Sequence, residues 1–412
     1  MKNSFHESSQ AGSSAVHLEA SAYSRRIAGS VTLAITAKVA ELKRKGIEVI
    51  SLGAGEPDFP TPDEICDAAI QAVRKGYTKY TPNAGIYELR ESIARYLNRL
   101  GGDYTPEEIL VSNGAKQSIV NALFAALDPG QEVLLPVPYW TSYPEQIKMA
   151  GGIPVFLNTS DDRHYKLDPD QLRSAITPKS RLLILNSPSN PTGSVYSRDE
   201  LEELVRICKE HQLLILSDEI YLELIYDSLE TCSLAAFADI RPQLLLVNGF
   251  SKSHAMTGWR VGYLAAKTPF IEAAKKIQSH TTSNASSISQ YAALAAYQMA
   301  PQALEPMWEK FKERRDFVVG RLQDMPGVQT FRPQGAFYVF PNMGTFIGTR
   351  HNGIEITNSV DLANFLLEEA KVAVVPGDAF GAPQNIRISY ATSMENLEKA
   401  MNQIESALNK LE

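Results

Sequence analysis

An α/β fold, with a mostly parallel central sheet and a smaller α+β domain, is what this sequence predicts, and three observations carry the prediction. Between Glu108 and Val247, short apolar runs alternate with segments of helical periodicity, the pattern of a parallel sheet covered on both faces. Asn113, Asn190, Asp218 and Lys252 each follow the end of such a run, on the edge where open α/β sheets bind ligands. Beyond residue 300, the strand-like runs Gly335 to Phe340, Val372 to Val375 and Ile386 to Tyr390 have helical segments beside them, as a separate α+β unit would.

The 412 residues are enough for two or three domain-sized units. We expect a tail over 1–24, an N-terminal segment over 25–62 that joins the small domain, a large domain over 63–300, and a linking helix with the small domain over 301–412. Hydrophobic residues are 44% and charged residues 21%, an ordinary balance for a globular protein. The net charge of −7 is spread without a long basic run, which argues against nucleic acid and anionic membrane as partners. An acidic substrate would need a local basic site. Cys66, Cys208 and Cys232 are too few and too far apart for a disulfide framework or a zinc knuckle. They read as packing residues in a reducing compartment, and the expected location is cytoplasmic. No histidine pair has metal-binding spacing, and no apolar run is long enough to cross a bilayer. The Ser- and Ala-rich start lacks the apolar stretch of a secretory signal and is expected to be a flexible tail.

Taken in order, Ile35, Val39 and Leu42 share one face of a helix between Ser24 and Gly46, with Glu41, Lys43 and Arg44 outward. Val49 to Leu52 is a short strand that runs into Gly53-Ala54-Gly55-Glu56-Pro57-Asp58-Phe59-Pro60, where glycine lets a ligand approach the backbone. This is not a dinucleotide fingerprint, because the third glycine is missing and no helix opens at once. Thr61-Pro62-Asp63-Glu64 has the form of a capping box for a helix to Gly76, Tyr80 falls in the loop after it, and another helix covers about 86–100. Strand 109–112 passes through Asn113-Gly114-Ala115-Lys116 into helix 117–127, a turn whose free N–H groups suit a phosphate. Strand 132–135 leads to Pro138-Tyr139-Trp140, and strand 181–185 to the turn Asn186 to Gly193. Ser197-Arg198-Asp199-Glu200 caps a helix to His211, and strand 213–216 ends on Ser217-Asp218-Glu219-Ile220-Tyr221. After Gly262 we expect helices, including a long one over about 301–325 that joins two domains. Arg387 then alternates with isoleucines inside strand 385–390.

The run Leu244 to Val247 delivers the stretch Gly249-Phe250-Ser251-Lys252-Ser253-His254-Ala255-Met256-Thr257-Gly258-Trp259-Arg260-Val261-Gly262. A lysine at a strand end can point into a crevice, where lost hydration and neighbouring cations lower its pKa and leave some of it neutral and nucleophilic. The stretch resembles the cofactor-lysine signature of the class I and II aminotransferases, which use pyridoxal 5'-phosphate (PLP). Gly-Glu-Pro-Asp-Phe at 55–59, Asn-Pro-Thr-Gly at 190–193 and Asp-Glu-x-Tyr at 218–221 resemble three further motifs of that family. The resemblance runs from about Arg25 onward and is similar in detail to the bacterial-type aspartate aminotransferase branch.

What the resemblance implies is a homodimeric transaminase of the PLP-dependent transferase fold type I. Lys252 would bond to the cofactor aldehyde and move the substrate proton, Asp218 would pair with the pyridine nitrogen, and Asn190 and Tyr221 would reach the ring oxygen. Trp140 would stack on the ring. Arg260, Ser251 and the turn Gly114, Ala115 and Lys116 would hold the phosphate, joined across the dimer interface by Tyr80 of the other subunit. Arg387 would grip the substrate α-carboxylate with two parallel hydrogen bonds, with Gly55, Trp140 and Asn190 beside it. Lys116 matches the lysine that contacts a dicarboxylate side chain, with Ser30 and Thr32 nearby. Two departures stand out: Gly249 replaces a serine that touches the phosphate in some relatives, and Tyr143 stands where some carry a histidine behind the ring aspartate.

A distal carboxylate bound away from water needs a cation, so aspartate and glutamate are the expected donors, with oxaloacetate and 2-oxoglutarate as partners. Prephenate is a further expected acceptor. Another PLP reaction on the same scaffold, such as a carbon–sulfur lyase, stays open. A PLP-sensing transcription regulator is not expected, because it needs a DNA-binding module that the residues before Arg25 are too few to form.

Overall fold

The computed structural model describes residues 19–412. Its N-terminal part holds the helical turn α1 (Ala22–Arg25), helix α2 (Val31–Arg44), strand β1 (Ile50–Ser51) and helices α3 (Asp63–Arg74) and α4 (Tyr87–Arg99). There follow β2 (Ile109–Ser112), α5 (Ala115–Ala126), β3 (Glu132–Val137), α6 (Tyr143–Met149), β4 (Ile153–Asn158), α7 (Pro169–Ala175), β5 (Ser180–Asn186), α8 (Arg198–Glu210), β6 (Leu214–Asp218) and β7 (Leu244–Gly249). Strand β8 (Gly262–Ala265) precedes helices α9 (Thr268–Thr281), α10 (Ser287–Gln298) and α11 (Glu305–Gln323). The C-terminal part comprises β9 (Tyr338–Val339), the hairpin β10 (Arg350–His351) and β11 (Ile354–Glu355), α12 (Ser359–Glu369), β12 (Val372–Ala373), β13 (Val375–Pro376), β14 (Ile386–Ser389) and α13 (Met394–Leu408).

Seven strands make the central sheet, in the order β2-β8-β7-β6-β5-β3-β4. Strand β8 is antiparallel to both its neighbours, and the other pairs are parallel. Parallel neighbours need long crossovers, helical except for the 3₁₀ turns between β6 and β7, and they bring β5, β6 and β7 to an end on one edge, where β2 also ends. Alternation along each strand divides the core. Leu183, Ile215 and Leu246 pack on one face with Leu201 and Ala292, and Ile184, Leu216 and Val247 on the other with Ile119 and Ile147.

In the C-terminal part, the antiparallel sheet β13-β14-β9 and the helices α11, α12 and α13 share a second core that includes Leu322, Phe337, Leu366, Ile388 and Met401. The N-terminal segment joins this core: β1 pairs with β12, and Val39 and Val49 cluster with Ala373, flanked by Ile35 and Leu42. Two adjacent arginines on α11 then tie the chain together. Arg314 makes a two-point ion pair with Asp58 at 2.7 and 3.0 Å, and the buried Arg315 another with Asp227 at 2.7 and 2.8 Å.

Three expectations are corrected, and a stretch without an expectation is filled. The chain does not turn helical after Gly262: residues 262–265 are β8, whose Gly262 faces Gly249 and passes so close to α5 that a Cβ there would lie 2.4 Å from the Ala115 nitrogen. Between Trp140 and Arg181 the chain also builds α6, β4 and α7; β4 is an edge strand with Pro154 inside it, so it lacks a clear strand signal. The capping box at Thr61 does not form. The residue capping α3 is Pro62, and the Thr61 hydroxyl instead donates to the Ala255 carbonyl at 2.7 Å and accepts from Trp259 Nε1 at 2.9 Å. The long helix over 301–325 is divided, with a 3₁₀ turn at 301–303 ahead of α11. The box at Ser197 does form, with Ser197 and Glu200 exchanging bonds of 3.3 and 2.7 Å. Most of the expected tail, residues 1–18, lies outside the described residues, whereas Tyr23 is held by its hydroxyl to the Met149 carbonyl at 2.8 Å.

Candidate active site

The strand ends on the common edge open into a cavity of about 480 Å³, walled by residues of both parts of the chain. From β6 and the turn after it come Asp218 and Tyr221; the β5 turn supplies Asn190, the β7 turn Ser251 and Lys252, and α5 contributes Ala115 and Lys116. Gly55, Arg387 and Thr32 close it from the N- and C-terminal parts, with Trp140 and Arg260.

Asp218 is 4% exposed, and burial lifts its pKa to about 6 despite two donors that favour the charge. Tyr143 Oη donates to Oδ2 at 2.7 Å, and the Ile220 N–H to Oδ1 at 3.2 Å. Tyr143, noted above as a departure, thus orients the carboxylate from behind. Asn186 pins the neighbouring turns by donating to the Asp218 carbonyl at 2.9 Å and accepting from the Asn190 N–H at 2.8 Å.

Lys252 is partly buried, and its Nζ donates to the Gly55 carbonyl. Burial draws its pKa down to about 8; Arg387 and Arg260 act the same way, while Glu56 and Asp218 oppose them. At neutral pH a useful fraction is therefore neutral. Arg387 is buried on β14, where Nη1 donates to Asn190 Oδ1 at 3.0 Å and Nη2 to the Gly53 carbonyl at 2.8 Å. Its guanidinium lies 4.4 Å from the Tyr338 ring centre, and its buried Nε has no partner. Such an orphaned donor in a cavity wall suits an anionic ligand.

At the start of α5, the N–H groups of Ala115 and Lys116 have no partner within the helix and point outward with the positive dipole end. Gly114, at φ +83°, faces Arg260, whose Nη2 would lie 2.7 Å from any Cβ placed there. Glycine at 114 and 262 therefore keeps open a cradle of N–H groups and guanidinium. Gly249 also has a local reason, since a Cβ would lie 3.0 Å from Gly262 Cα. Lys116 Nζ sits 4.9 Å from the Trp140 ring centre, and its pKa is lowered by burial and then by Arg260. Among the described residues, no carboxylate pairs with it.

Three expected residues do not line the cavity: Gly114, whose place beside Arg260 is given above, Ser30 and Tyr80. Ser30 caps α2, with Oγ accepting from the Leu33 N–H at 3.4 Å and lying 3.0 Å from Thr32 Oγ1. Tyr80 is 92% exposed and is not among the residues that line the chain's own cavity. Conversely, Tyr338, Glu56 and Thr257 line the cavity without having been singled out. Glu56 lay inside a motif read for its glycine, and Tyr338 inside a run read as core; the alternation of a strand carries no mark for a hydroxyl that reaches a site.

The fold and the site together define a class, the enzymes that transfer amino groups. The chain belongs to the class I and II aminotransferase family, whose model matches residues 47–404. It is 48% identical to an aspartate aminotransferase of Geobacillus stearothermophilus, over 91% of this chain and 95% of that one. It is 50% identical to a bifunctional aspartate aminotransferase and glutamate/aspartate-prephenate aminotransferase of Petunia hybrida, over 92% and 80%. Among solved structures, the aspartate aminotransferase of Rhizobium meliloti matches with a TM-score of 0.92 at 40% identity, covering 96% of this chain and 100% of that one. The Thermus thermophilus aspartate aminotransferase with maleate matches at 0.89 and 41% identity, covering 94% and 99%.

Proposed function

We propose that this transaminase is a PLP-dependent aspartate aminotransferase, exchanging amino groups between aspartate or glutamate and the 2-oxo acids oxaloacetate and 2-oxoglutarate. The observation that carries the reading is a pair of cations, Arg387 and Lys116, on separate elements lining the one cavity that also holds Lys252 and Asp218. Two cations suit two carboxylates, and the relatives named above are aspartate aminotransferases.

The residues fit the cofactor. The cradle kept open by Gly114 and Gly262 suits a phosphate, the buried acid of Asp218 a pyridine nitrogen, and the Lys252 amine an aldehyde. When bound, PLP supplies the carbonyl that takes up the amino group and a ring that accepts electron density from the substrate α-carbon. The chain supplies the rest. Lys252 Nζ, drawn toward neutrality, takes and returns the α-proton. Asp218, oriented by Tyr143, provides the buried negative charge opposite a protonated ring nitrogen, and Asn190 and Tyr221 offer donors to the ring oxygen. Arg387 orients the α-carboxylate, and Lys116 the distal one.

A homodimer with shared sites is part of this reading. Tyr80 is 92% exposed, and Ile70, Val73, Tyr77 and Tyr87, close to it in sequence, are exposed apolar side chains that a second copy would cover. Sedimentation should give about twice the chain mass of 45.4 kDa; a monomer carrying full activity would refute it. The cytoplasm is the proposed location, in keeping with three unpaired cysteines. Prephenate as a further acceptor is supported by the Petunia hybrida relative and by an aspartate/prephenate aminotransferase of Nitrosomonas europaea, 44% identical to this chain. A panel of amino donors and oxo-acid acceptors on purified protein tests the assignment. Aspartate and glutamate should be turned over only with an oxo acid present, whereas product from one amino acid alone would point to a lyase.

A further inference from the structure

We propose that Tyr338 is a positioning residue that joins the two halves of the site: its hydroxyl directs the proton of Tyr221 into the cavity, and its ring supports Arg387. The inference rests on the reading above. Tyr338 belongs to β9, in the C-terminal part, where it pairs with Ser389 of the strand that carries Arg387. Tyr221 belongs to the turn after β6, in the central sheet. Their hydroxyl oxygens are 2.8 Å apart, and the contact bridges the two parts at the cavity itself.

Both side chains are buried, and the two hydroxyls are hydrogen-bonded to each other. A buried hydroxyl is costly without a bond, so a tyrosine pair here in place of phenylalanine calls for a polar role. Only one of the two can donate across the 2.8 Å gap. If Tyr338 donates, the Tyr221 proton is left to point at whatever acceptor occupies the cavity, and a chain of two hydroxyls strengthens that donation. An anionic ring oxygen within reach of Tyr221 and Asn190 favours this order.

Arg387 biases the pair further. Its guanidinium carbon lies 4.4 Å from the Tyr338 ring centre, the geometry of a cation on a π face; burial raises the pKa of both phenols and the Arg387 charge works against it on both, but the ring contact is made with Tyr338. Tyr338 also crowds the carboxylate-binding turn, since a Cβ on Gly55 would lie 3.2 Å from its hydroxyl. The charged groups that act on this pair are Arg387 from β14, Glu56 from the turn after β1 and Asp218 from β6. Lys252 Nζ stands 5.9 Å from the Tyr221 ring centre.

The test compares PLP-loaded wild type with Y338F, Y338L, Y221F and the double variant Y221F/Y338F, reading the pH midpoint of the bound cofactor's visible absorbance. Y338F keeps the ring and loses the hydroxyl, so the midpoint should rise by about half to one pH unit, the scale of one net hydrogen bond, with kcat falling more than KM changes. On the Y221F background the same change should leave the midpoint unmoved, because Tyr338 acts through Tyr221. Y338L also removes the ring, and succinate, an unreactive dicarboxylate, should bind roughly tenfold more weakly to it than to Y338F. Equal midpoints for wild type and Y338F, or an equal shift in the presence and absence of the Tyr221 hydroxyl, overturn the inference alone. A wild-type protein that acquires no visible band with PLP overturns the cofactor reading and this inference with it.

Discussion

The two walls of the cavity are built differently. The wall formed by the strand ends is buried and cross-linked: Asp218 has two donors, Asn190 is tied to Asn186 and Arg387, and Asn186 is tied back to Asp218. The wall toward α2 and the start of α5 is looser: the Lys116 ammonium rests on the Trp140 ring, and the Thr32 hydroxyl is bonded to Ser30, which caps α2. Chemistry that recurs with every substrate needs charges fixed in advance, which costs stability. Choice among substrates needs only a placed charge that can be changed without disturbing the rest. The difference teaches which substitutions should stop the reaction and which should redirect it.

The largest effect should come from the fixed wall. Asp218→Asn removes the buried charge expected to hold the ring nitrogen protonated, and kcat should fall on the order of 10³-fold for every amino donor alike, as when one partner of a buried charge pair is lost. A loss confined to acidic donors would erase the distinction between the walls. On the open wall, Lys116→Met should lower kcat/KM for aspartate by about 10- to 100-fold, the scale of a charged hydrogen bond, and spare alanine. Equal losses for both would assign Lys116 to the cofactor phosphate instead.

The smallest effect is on stability, and it sharpens the comparison without any substrate. The folded state raises the Asp218 pKa from 3.8 to about 6, so between those values it binds more protons than the unfolded chain, and stability falls as pH rises through that window. In cofactor-free protein, Asp218→Asn should therefore be the more stable form above pH 6, by about 2 kcal/mol, with the gap closing toward pH 4. Urea unfolding at pH 4 and pH 7 measures it. Lys116→Met, in the looser wall, should change stability by no more than about 1 kcal/mol at either pH.

What was legible in the sequence follows the same division. Strands buried on both faces read as apolar runs, so the ends of β2, β5, β6 and β7 could be located, and with them Asn190, Asp218 and Lys252. The resemblance then attached expected roles to those positions. Strand β8 was hidden because it begins on a glycine that the close passage of α5 requires, inside a stretch read for its lysine and arginine. Thr61 carried a capping signature, yet Ala255 and Trp259 claimed its hydroxyl, and a partner so distant in sequence leaves no local trace. Tyr338 was hidden for the same reason: its bond to Tyr221 spans 117 positions. Ser30 was expected near the substrate, and its hydroxyl is used by the helix it caps.

The central claim is that Lys252 is the residue that carries the cofactor. Borohydride reduction of the PLP-loaded protein, followed by peptide mapping, tests it most directly. The account predicts one pyridoxyl group per chain, on Lys252; a label on another lysine, such as Lys116, or no label on a protein that has bound PLP, would contradict it.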